Sequence, residues 1–232
     1  MIQPQREDVR RGLILDLEYR GAVAAGGTWK DRSGHGYNVT CNGDMHVDKQ
    51  GAHFDGTGDY GHIGTNVFED TSIACLSGWI NYTGNGTVQT IFSSSSPTSE
   101  NVFIFEITAE NKPFVQLWSG GVGGSNNAIQ TTAAISNGRH HVLLICDGVS
   151  WKIYVDSALQ SVSTLVGSNL GRWIDWLLDA TRYARIGYAY INNGSYIYQF
   201  NGGIGAFRIY NRVLSSAEIA VLYNRGKWRK PA

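Results

Sequence analysis

Short apolar runs, bounded by glycine, asparagine or aspartate, recur along this sequence and limit what it can fold into. They include SIACLSGWI (72–80), NVFIF (101–105) and HHVLLIC (140–146). A spacing of roughly 8 to 14 residues between such runs is typical of an antiparallel sandwich or barrel. No amphipathic helix separates one run from the next, so the strand–helix alternation of a parallel sheet is absent. The sequence therefore predicts an all-β fold.

Two dipeptides predict tight hairpins with type I′ turns. They are Asp147-Gly148 and Asn193-Gly194. A two-residue turn at the second would pair Ile191 with Tyr196. Because side chains alternate between the faces of a strand, Tyr188 and Tyr190 would then lie on one face of the hairpin and Tyr196 and Tyr198 on the other. These four tyrosines are therefore not expected to form one sugar-stacking platform.

The C-terminal stretch RVLSSAEIAVLYNRG has the pattern of a helix rather than a strand. Ser215 and Glu218 are spaced for a reciprocal capping box, and Leu214 and Ile219 for a hydrophobic staple. Gly226 is placed to supply the left-handed residue that ends a helix. We expect this helix to pack on the sheets as a folding device rather than to form a binding site.

The charge balance and the order of segments limit partners and compartment. The formal net charge is zero, with 19 basic and 19 acidic residues, so neither nucleic acid nor membrane is an expected partner. We expect one domain over 12–226, between an N-terminal arm (1–11) and a basic tail (227–232). Charges stand in the arm where a signal peptide would be apolar, which predicts synthesis in the cytoplasm without that signal.

The three cysteines are odd in number and lack the spacing of a metal site. They are Cys41, Cys75 and Cys146. We expect them to be reduced side chains of the buried core.

Seven motifs, in order along the chain, resemble those of the laminin-G-like, concanavalin A-like jelly-roll domains. They are GLILDLEY (12–19), DRSGHGYNVT (31–40), HFDGTGDYGHIG (53–64), SIACLSGWI (72–80), GRHHVLLICDGVSWKIYVD (138–156), ARIG (184–187) and FNGGIGAFRIYNRVLSSAEIAVLY (200–223). The resemblance implies an all-β jelly-roll sandwich of two antiparallel sheets, with a closing strand that runs into the capped helix. It does not fix the function, because this sandwich serves lectins, glycosidases, adhesion proteins and virion proteins.

The pattern of acidic residues argues against catalysis. Retaining glycosidases need two carboxyl groups only about 5 Å apart. The nearest approach to such a pair is Glu106 with Glu110, which a predicted turn at Glu110 interrupts. We therefore expect no catalytic residues and no enzyme activity.

Loop aspartates indicate a calcium site, and no other cofactor is expected. Asp31, Asp55 and Asp59 lie in two polar loops rich in hard oxygen ligands. The alternative is that these aspartates cap turns through their own backbone. One departure from the family pattern weakens the calcium site, since Gly205 stands where the closing strand often carries an acid. Zinc is not expected, because His140 and His141 resemble a structural histidine pair.

One segment departs from the strand pattern and carries the candidate binding residues. Trp173, Trp176 and Leu177 recur at the spacing of one helical face. These side chains could anchor a protein partner or a sugar ring, since tryptophan offers a large contact area. Alternatively they cap one end of the core.

Two functions are compatible with the sequence. The first is a structural or adhesive subunit of a larger assembly, such as a phage virion surface protein in a capsid decoration, fibre or tail. It would be a homo-oligomer in contact with protein subunits, with glycans as additional ligands. The alternative is a free-standing carbohydrate-binding lectin-like module.

Overall fold

A computed structural model of the chain confirms an antiparallel β sandwich followed by a helix. It describes residues 8–96, 99, 101–120, 126–177, 181–191 and 196–227. The strands are β1 Leu13–Leu17, β2 Thr28–Trp29, β3 Val39–Asn42, β4 His46–Asp48, β5 Gly51–Asp55, β6 Tyr60–Thr65, β7 Ala74–Tyr82, β8 Gln89–Ser95, β9 Val102–Ile107, β10 Pro113–Trp118, β11 Asn126–Thr131, β12 Gly138–Cys146, β13 Trp151–Val155, β14 Ala158–Leu159, β15 Val162–Val166, β16 Tyr183–Ile186, β17 Tyr188–Ile191, β18 Tyr196–Gln199 and β19 Asn201–Tyr210. The helix α1 spans Ser216–Lys227, and short 3-10 turns span Asp8–Arg10 and Ile174–Trp176.

The strands form two large sheets and one separate hairpin. Sheet A has the order β14-β13-β12-β7-β19-β5-β4, and β1 also pairs with β19. Sheet B has the order β15-β11-β10-β9-β8-β16-β6-β3-β2, and β17 with β18 forms the hairpin. Strands distant in sequence, such as β7 and β19, are neighbours in space, as in a jelly roll. The predicted fold class is therefore confirmed.

The core lies between the two sheets because inward and outward side chains alternate along the strands. On β13 the burial alternates along WKIYV, so that Trp151 and Ile153 are buried and Lys152 lies outside. Aromatic side chains from both sheets stack at the centre, with the ring centres of Phe92 and Phe207 6.0 Å apart. Burying such large rings is the main stabilising contribution to a sandwich of this size.

Both predicted hairpins are present, but the first turn differs in detail. Ile191 pairs with Tyr196, as expected for the second hairpin. In the first, Cys146 pairs with Trp151 across a loop of residues 147–150. Only Gly148 of this loop has a positive φ, and the Asp147 carboxylate accepts the N–H groups of two loop residues instead. An aspartate turn therefore replaces the expected type I′ turn, which needs two positive φ angles.

The C-terminal helix begins as predicted and ends differently. The Ser215 N–H donates to Glu218 Oε2 over 2.9 Å, and the Glu218 N–H donates to Ser215 Oγ over 3.3 Å, so the capping box is confirmed. The expectation that Gly226 ends the helix in a left-handed conformation is wrong, because the helix continues to Lys227. A Cβ at position 226 would lie 1.7 Å from Trp79 Nε1, so this glycine is required for the close approach of helix and sheet.

The ends of the domain are only partly described. The predicted arm and tail lie largely outside the described residues, which exclude 1–7 and 228–232. Val9 is buried against α1, so residues after position 8 pack on the sandwich.

Within the described part of the chain, no helix has the length and apolar character needed to cross a membrane. Cys41, Cys75 and Cys146 are free and buried, as expected.

Candidate functional site

The tryptophan segment lies partly in the core. Trp173 is fully buried, stacks on Phe92 at 5.8 Å, and donates its Nε1–H to the Phe68 carbonyl over 3.0 Å. Leu177 is 3% exposed. Only Trp176 reaches the surface, where it is 48% exposed. The structure thus places two of the three candidate binding residues where no ligand can contact them, and binding at Trp176 stays a prediction.

The three candidate calcium ligands act as acceptors for backbone turns. Asp31 accepts hydrogen bonds from the N–H groups of Asp16, Ser33 and Tyr37 and from the Ser33 hydroxyl. Burial opposes ionisation of this carboxyl, but the donors outweigh it and lower the pKa of Asp31.

The other two aspartates lie together in a second loop. Asp59 accepts from the Asp44 N–H over 2.6 Å and the Asp55 N–H over 3.0 Å, while Asp55 accepts from the N–H of Thr57. In the described part of the chain, no three acidic, histidine or cysteine side chains are grouped for a metal ion. The contacts therefore favour the turn-capping alternative, and calcium stays a prediction.

The histidine pair has hydrogen-bond partners of its own. His141 is buried, with its Nε2 2.9 Å from the Ser77 hydroxyl, and burial lowers the pKa of His141 to about 4. His140 Nδ1 is 2.8 Å from an Asp156 carboxylate oxygen. Both histidines therefore contact neighbouring side chains of the protein itself, which agrees with a structural role in sheet A.

The nearest approach to a catalytic acid is a single buried carboxyl. Glu106 is 4% exposed and its Oε2 has no hydrogen-bond partner among the described residues. Burial raises the pKa of Glu106 to about 8. Glu110 lies in the exposed turn that joins β9 to β10, as predicted. This arrangement gives Glu106 no acidic partner from the turn.

A cluster of tyrosines surrounds one arginine on the outer face of sheet B. Tyr60 comes from β6, Tyr183 and Arg185 from β16, and Tyr188 and Tyr190 from β17. On β16, Ala184 and Ile186 are buried in the core. Because side chains alternate along the strand, Tyr183 and Arg185 face outward. All five residues are partly exposed. We name this surface the Arg185 trough.

The guanidinium of Arg185 is held among three rings. Its central carbon lies 4.8 Å from the ring centre of Tyr183, 5.6 Å from that of Tyr188 and 5.7 Å from that of Tyr60. These distances fall within the ~6 Å over which a cation and an aromatic face attract. The rings of Tyr188 and Tyr190 are nearly parallel, with centres 6.5 Å apart. The rings thus provide walls on which an apolar sugar face could stack.

Arg185 forms no ion pair with any carboxylate in the described part of the chain. One terminal nitrogen lies 3.5 Å from the Ser95 hydroxyl, and Nε has no hydrogen-bond partner among the described residues. Burial lowers the pKa of Arg185, and burial together with the neighbouring guanidinium lowers the pKa of His62. The trough is therefore a partly dehydrated, positively charged site.

The hairpin of β17 and β18 is fixed onto sheet B and forms one wall of the trough. The Ser93 hydroxyl donates to the Tyr188 carbonyl over 2.7 Å, and the Gly58 N–H donates to Gln199 Oε1. Ala189 is buried against strand β9. Tyr198, opposite Ala189 in the hairpin, packs in the same layer, away from the trough. The predicted separation of the hairpin tyrosines is confirmed for the side chains described.

Chemically, the trough is suited to binding. The fork of an arginine matches the two oxygens of a carboxylate, and tyrosines offer both a ring face and a hydroxyl. None of the five side chains is a carboxylate that could transfer a proton to or from a substrate. The arrangement can hold and orient an anionic group beside an apolar surface.

Sequence reasoning missed Tyr60, Tyr183 and Arg185. Their signal is present, because polar aromatic or cationic residues alternate with core residues in DYGHIG and RYARIG. The two segments become neighbours only because β6 pairs with β16, which are more than a hundred residues apart. Strand order is not readable from one sequence, so their association could not be predicted.

A sequence profile described as the concanavalin A-like lectin/glucanases superfamily, of the laminin G type, matches residues 55–220. No curated protein matches the chain.

Solved structures show the same fold at low sequence identity. One is titled Ruminococcus gnavus IT-sialidase CBM40 bound to α2,3-sialyllactose, with a TM-score of 0.54 and 18% identity over 66% of this chain and 83% of that one. Another comes from a study of botulinum neurotoxin type C and two ganglioside molecules, with a TM-score of 0.67 and 19% identity over 97% of this chain and 53% of that one. A third is the binding domain of botulinum neurotoxin DC in complex with SialylT, with a TM-score of 0.59 and 15% identity over 95% of this chain and 53% of that one. The chain thus spans about half the length of the toxin chains.

Proposed function

Because the chain belongs to the concanavalin A-like lectin/glucanases superfamily, we propose that it is a non-catalytic carbohydrate-binding module. Its site is the Arg185 trough, and its ligand is a sugar that carries a carboxylate group. The single observation that carries this proposal is the position of Arg185, a partly buried cation without an acidic partner in the described part of the chain.

The free energies involved favour an anionic ligand. Removing a charged group from water costs several kcal/mol, whereas one cation–π contact returns only about 0.5–2 kcal/mol. Three ring contacts at 4.8–5.7 Å return about 1.5–6 kcal/mol, but they leave the Nε–H donor of Arg185 without a hydrogen-bond acceptor in the described part of the chain. A carboxylate that enters the trough would supply the missing partner, and the unpaired Nε–H offers a further donor.

The rings support a sugar carboxylate over a small free acid as the ligand. Tyr60 and Tyr188 lie 5.1 Å apart beside Arg185, and stacked Tyr190 extends the wall along β17. The C–H face of a pyranose packs on such rings while its hydroxyls reach the phenol groups. Two similar structures were solved with sialyllactose and with SialylT, and sialyl sugars carry a carboxylate. These ligands support the same class for this chain.

The virion role predicted from the sequence draws partly on the N-terminal arm, which carries charges where a signal peptide would be apolar. Residues 1–7 and 228–232 lie outside the described part of the chain, so this role stays a prediction. Carbohydrate binding is compatible with it, because a surface subunit of an assembly can also be a lectin.

The test compares α2,3-sialyllactose, its methyl ester and lactose by isothermal titration calorimetry. We expect wild-type protein to bind sialyllactose and to bind the ester at least about tenfold more weakly, because the ester removes the charge that Arg185 would pair. Arg185→Gln should abolish the difference between acid and ester. Its melting temperature should not fall, because the substitution removes a partly buried charge without an acidic partner.

Arg172→Gln is the matched control, because the Arg172 guanidinium lies 3.9 Å from the ring centre of exposed Trp176. This variant also removes one arginine that contacts a ring, so its binding should equal that of wild type. Loss of binding in Arg172→Gln with retention in Arg185→Gln would instead support the site predicted at Trp176. Equal affinity of wild-type protein for acid, ester and lactose would overturn the assignment of Arg185.

A further inference from the structure

A second recess lies on the outer face of sheet A, on the opposite side of the sandwich from the Arg185 trough. Strands β5 and β1 both pair with β19, β5 over Asn201–Ile204 and β1 over Phe207–Tyr210. The pairing of β19 with β7 shifts in register between Gly205 and Arg208, where Ala206 has a φ of 47°. The two strands therefore separate at this bulge and leave an open groove beside α1. Its volume is about 1030 Å³.

The charge of this groove contrasts with that of the whole chain. Seven cationic and two acidic side chains line it, a net charge of +5 in a chain whose formal net charge is zero. The cations are Arg10, Arg20, Arg32, Lys49, Arg139, Arg208 and Arg225. Such a concentration of one sign in a concave surface raises the local concentration of anions.

Both acids of the groove form salt bridges with cations of the groove. Arg208 pairs with Asp16, with Nε 3.0 Å from Oδ1, and also with Glu18. Arg20 pairs with Glu18 over 3.3 Å. Two acids cannot balance seven cations, so the lining keeps its net positive charge.

The groove is shaped as a channel rather than a flat patch. Its floor carries Gly51 and Gly205, where an added Cβ would lie 2.6 Å from the Ile204 carbonyl oxygen and 2.8 Å from the Gln50 carbonyl oxygen, respectively. These glycines therefore allow β5 and β19 to approach closely beneath the groove. Arg139 lines one side, with its guanidinium carbon 4.4 Å from the ring centre of Trp79. This contact holds one donor fork in a defined position before any ligand arrives.

We propose that this groove binds a sulfated linear polysaccharide. Six of the seven cations are arginines, whose forked donors match the oxygens of tetrahedral anions, and a channel of about 1030 Å³ holds several sugar units. Such a ligand presents anions at regular intervals and can lie along the channel.

The lining disfavours the other polyanions. Single-stranded nucleic acid binds by stacking bases on exposed rings. Of the two rings in the lining, Trp79 is 7% exposed and lies between Arg139 and Tyr223, and Tyr19 is partly buried against the core. An anionic membrane is flat, and the cations around a recess cannot all reach a flat surface. Sulfate groups on a flexible chain require neither stacking nor planarity.

The test measures heparin binding to full-length protein by calorimetry. One triple variant removes exposed cations of the groove and the other removes cations outside it. The groove variant is Arg32→Ala, Lys49→Ala, Arg225→Ala. The control is Arg11→Ala, Lys30→Ala, Lys112→Ala. Because both variants lose three positive charges, general attraction changes equally, and only the groove variant should lose about tenfold in affinity.

Desulfated heparin and oligo-dT provide the chemical controls, and vesicles with anionic lipid provide the membrane control. The carboxylates of desulfated heparin are ligands for the trough, so this comparison uses Arg185→Gln. The proposal requires that desulfated heparin does not bind Arg185→Gln, that the vesicles do not bind, and that oligo-dT binds more weakly than heparin. Equal loss in the two triple variants would show a general charge effect and overturn the groove assignment. Tighter binding of oligo-dT or of vesicles would overturn the ligand class. Heparin should still bind Arg185→Gln through the groove, so failure here is distinct from failure of the trough.

Discussion

Glu106 should make the stability of this protein fall as the pH rises. Burial raises the pKa of this carboxyl from 4.5 to about 8. Above pH 4.5 the unfolded chain releases the proton, whereas the folded chain keeps it until about pH 8. The stabilisation is therefore fully present below pH 4.5 and is lost as the pH rises to about 8, with a slope of about 1.4 kcal/mol per pH unit. Over the whole interval the loss approaches about 5 kcal/mol.

His141 opposes this trend at the acidic end of the interval. Burial lowers its pKa from 6.5 to about 4. The unfolded chain binds a proton below pH 6.5, whereas the folded chain stays neutral there, so this contribution is lost as the pH falls through about 4. Between pH 4.5 and 6.5 the two slopes cancel, and between pH 6.5 and 8 the slope of Glu106 remains.

Glu106→Gln isolates the effect, because the amide keeps the shape and cannot ionise. The free energy of unfolding from urea titrations, followed by tryptophan fluorescence between about pH 5 and pH 8, should rise in the variant relative to wild type by about 1.4 kcal/mol per pH unit. Glu110→Gln, in the exposed turn, should show no such trend. A difference between Glu106→Gln and wild type that is constant with pH would refute the reasoning.

Four further substitutions test the packing and the hydrogen bonds of single residues. Gly226→Ala should lower the free energy of unfolding by about 1–3 kcal/mol in thermal denaturation, although alanine favours helices, because its Cβ would lie 1.7 Å from Trp79 Nε1; equal or higher stability would contradict the close approach. Trp173→Ala should cost about 3–5 kcal/mol in urea and Trp176→Ala less than about 1 kcal/mol, since only the first is in the core; similar losses would show that both are buried. Asp31→Ala should cost about 1–3 kcal/mol, because its oxygens accept four hydrogen bonds. A chelator should leave the melting temperature of wild type unchanged, and a drop would instead support the calcium site.

The parts of the fold that the sequence predicts are those set by local rules. Alternation along β13, the pairing of Ile191 with Tyr196 and the capping box at Ser215 each depend on residues within one hairpin or one helical turn. The resemblance of seven ordered motifs adds the arrangement of the two sheets. These features survive because no distant residue is needed to establish them.

The features that the sequence could not settle depend on distant residues. The role of Gly226 is set by Trp79, which is far away in the sequence. The spacing of Trp173 and Trp176 is the same for a core turn and for a surface helix, and the contact of Trp173 with Phe92 decides between them. The sheet A groove likewise exists only because two strands share β19 as a neighbour. A single sequence contains the side chains of these sites but not the order of the strands.

The two proposed sites should respond differently to salt, because their cations differ in exposure. Arg32, Lys49 and Arg225 are exposed, so their attraction to a ligand is screened as the Debye length falls from about 10 Å at 0.1 M to about 3 Å at 1 M salt. Arg185 is partly buried among rings, and a carboxylate bound to it would be less accessible to ions. Calorimetry over this range should therefore show heparin binding lost well before sialyllactose binding. If both ligands weaken in parallel, they share one exposed basic surface, and the assignment of separate sites to opposite faces of the sandwich fails.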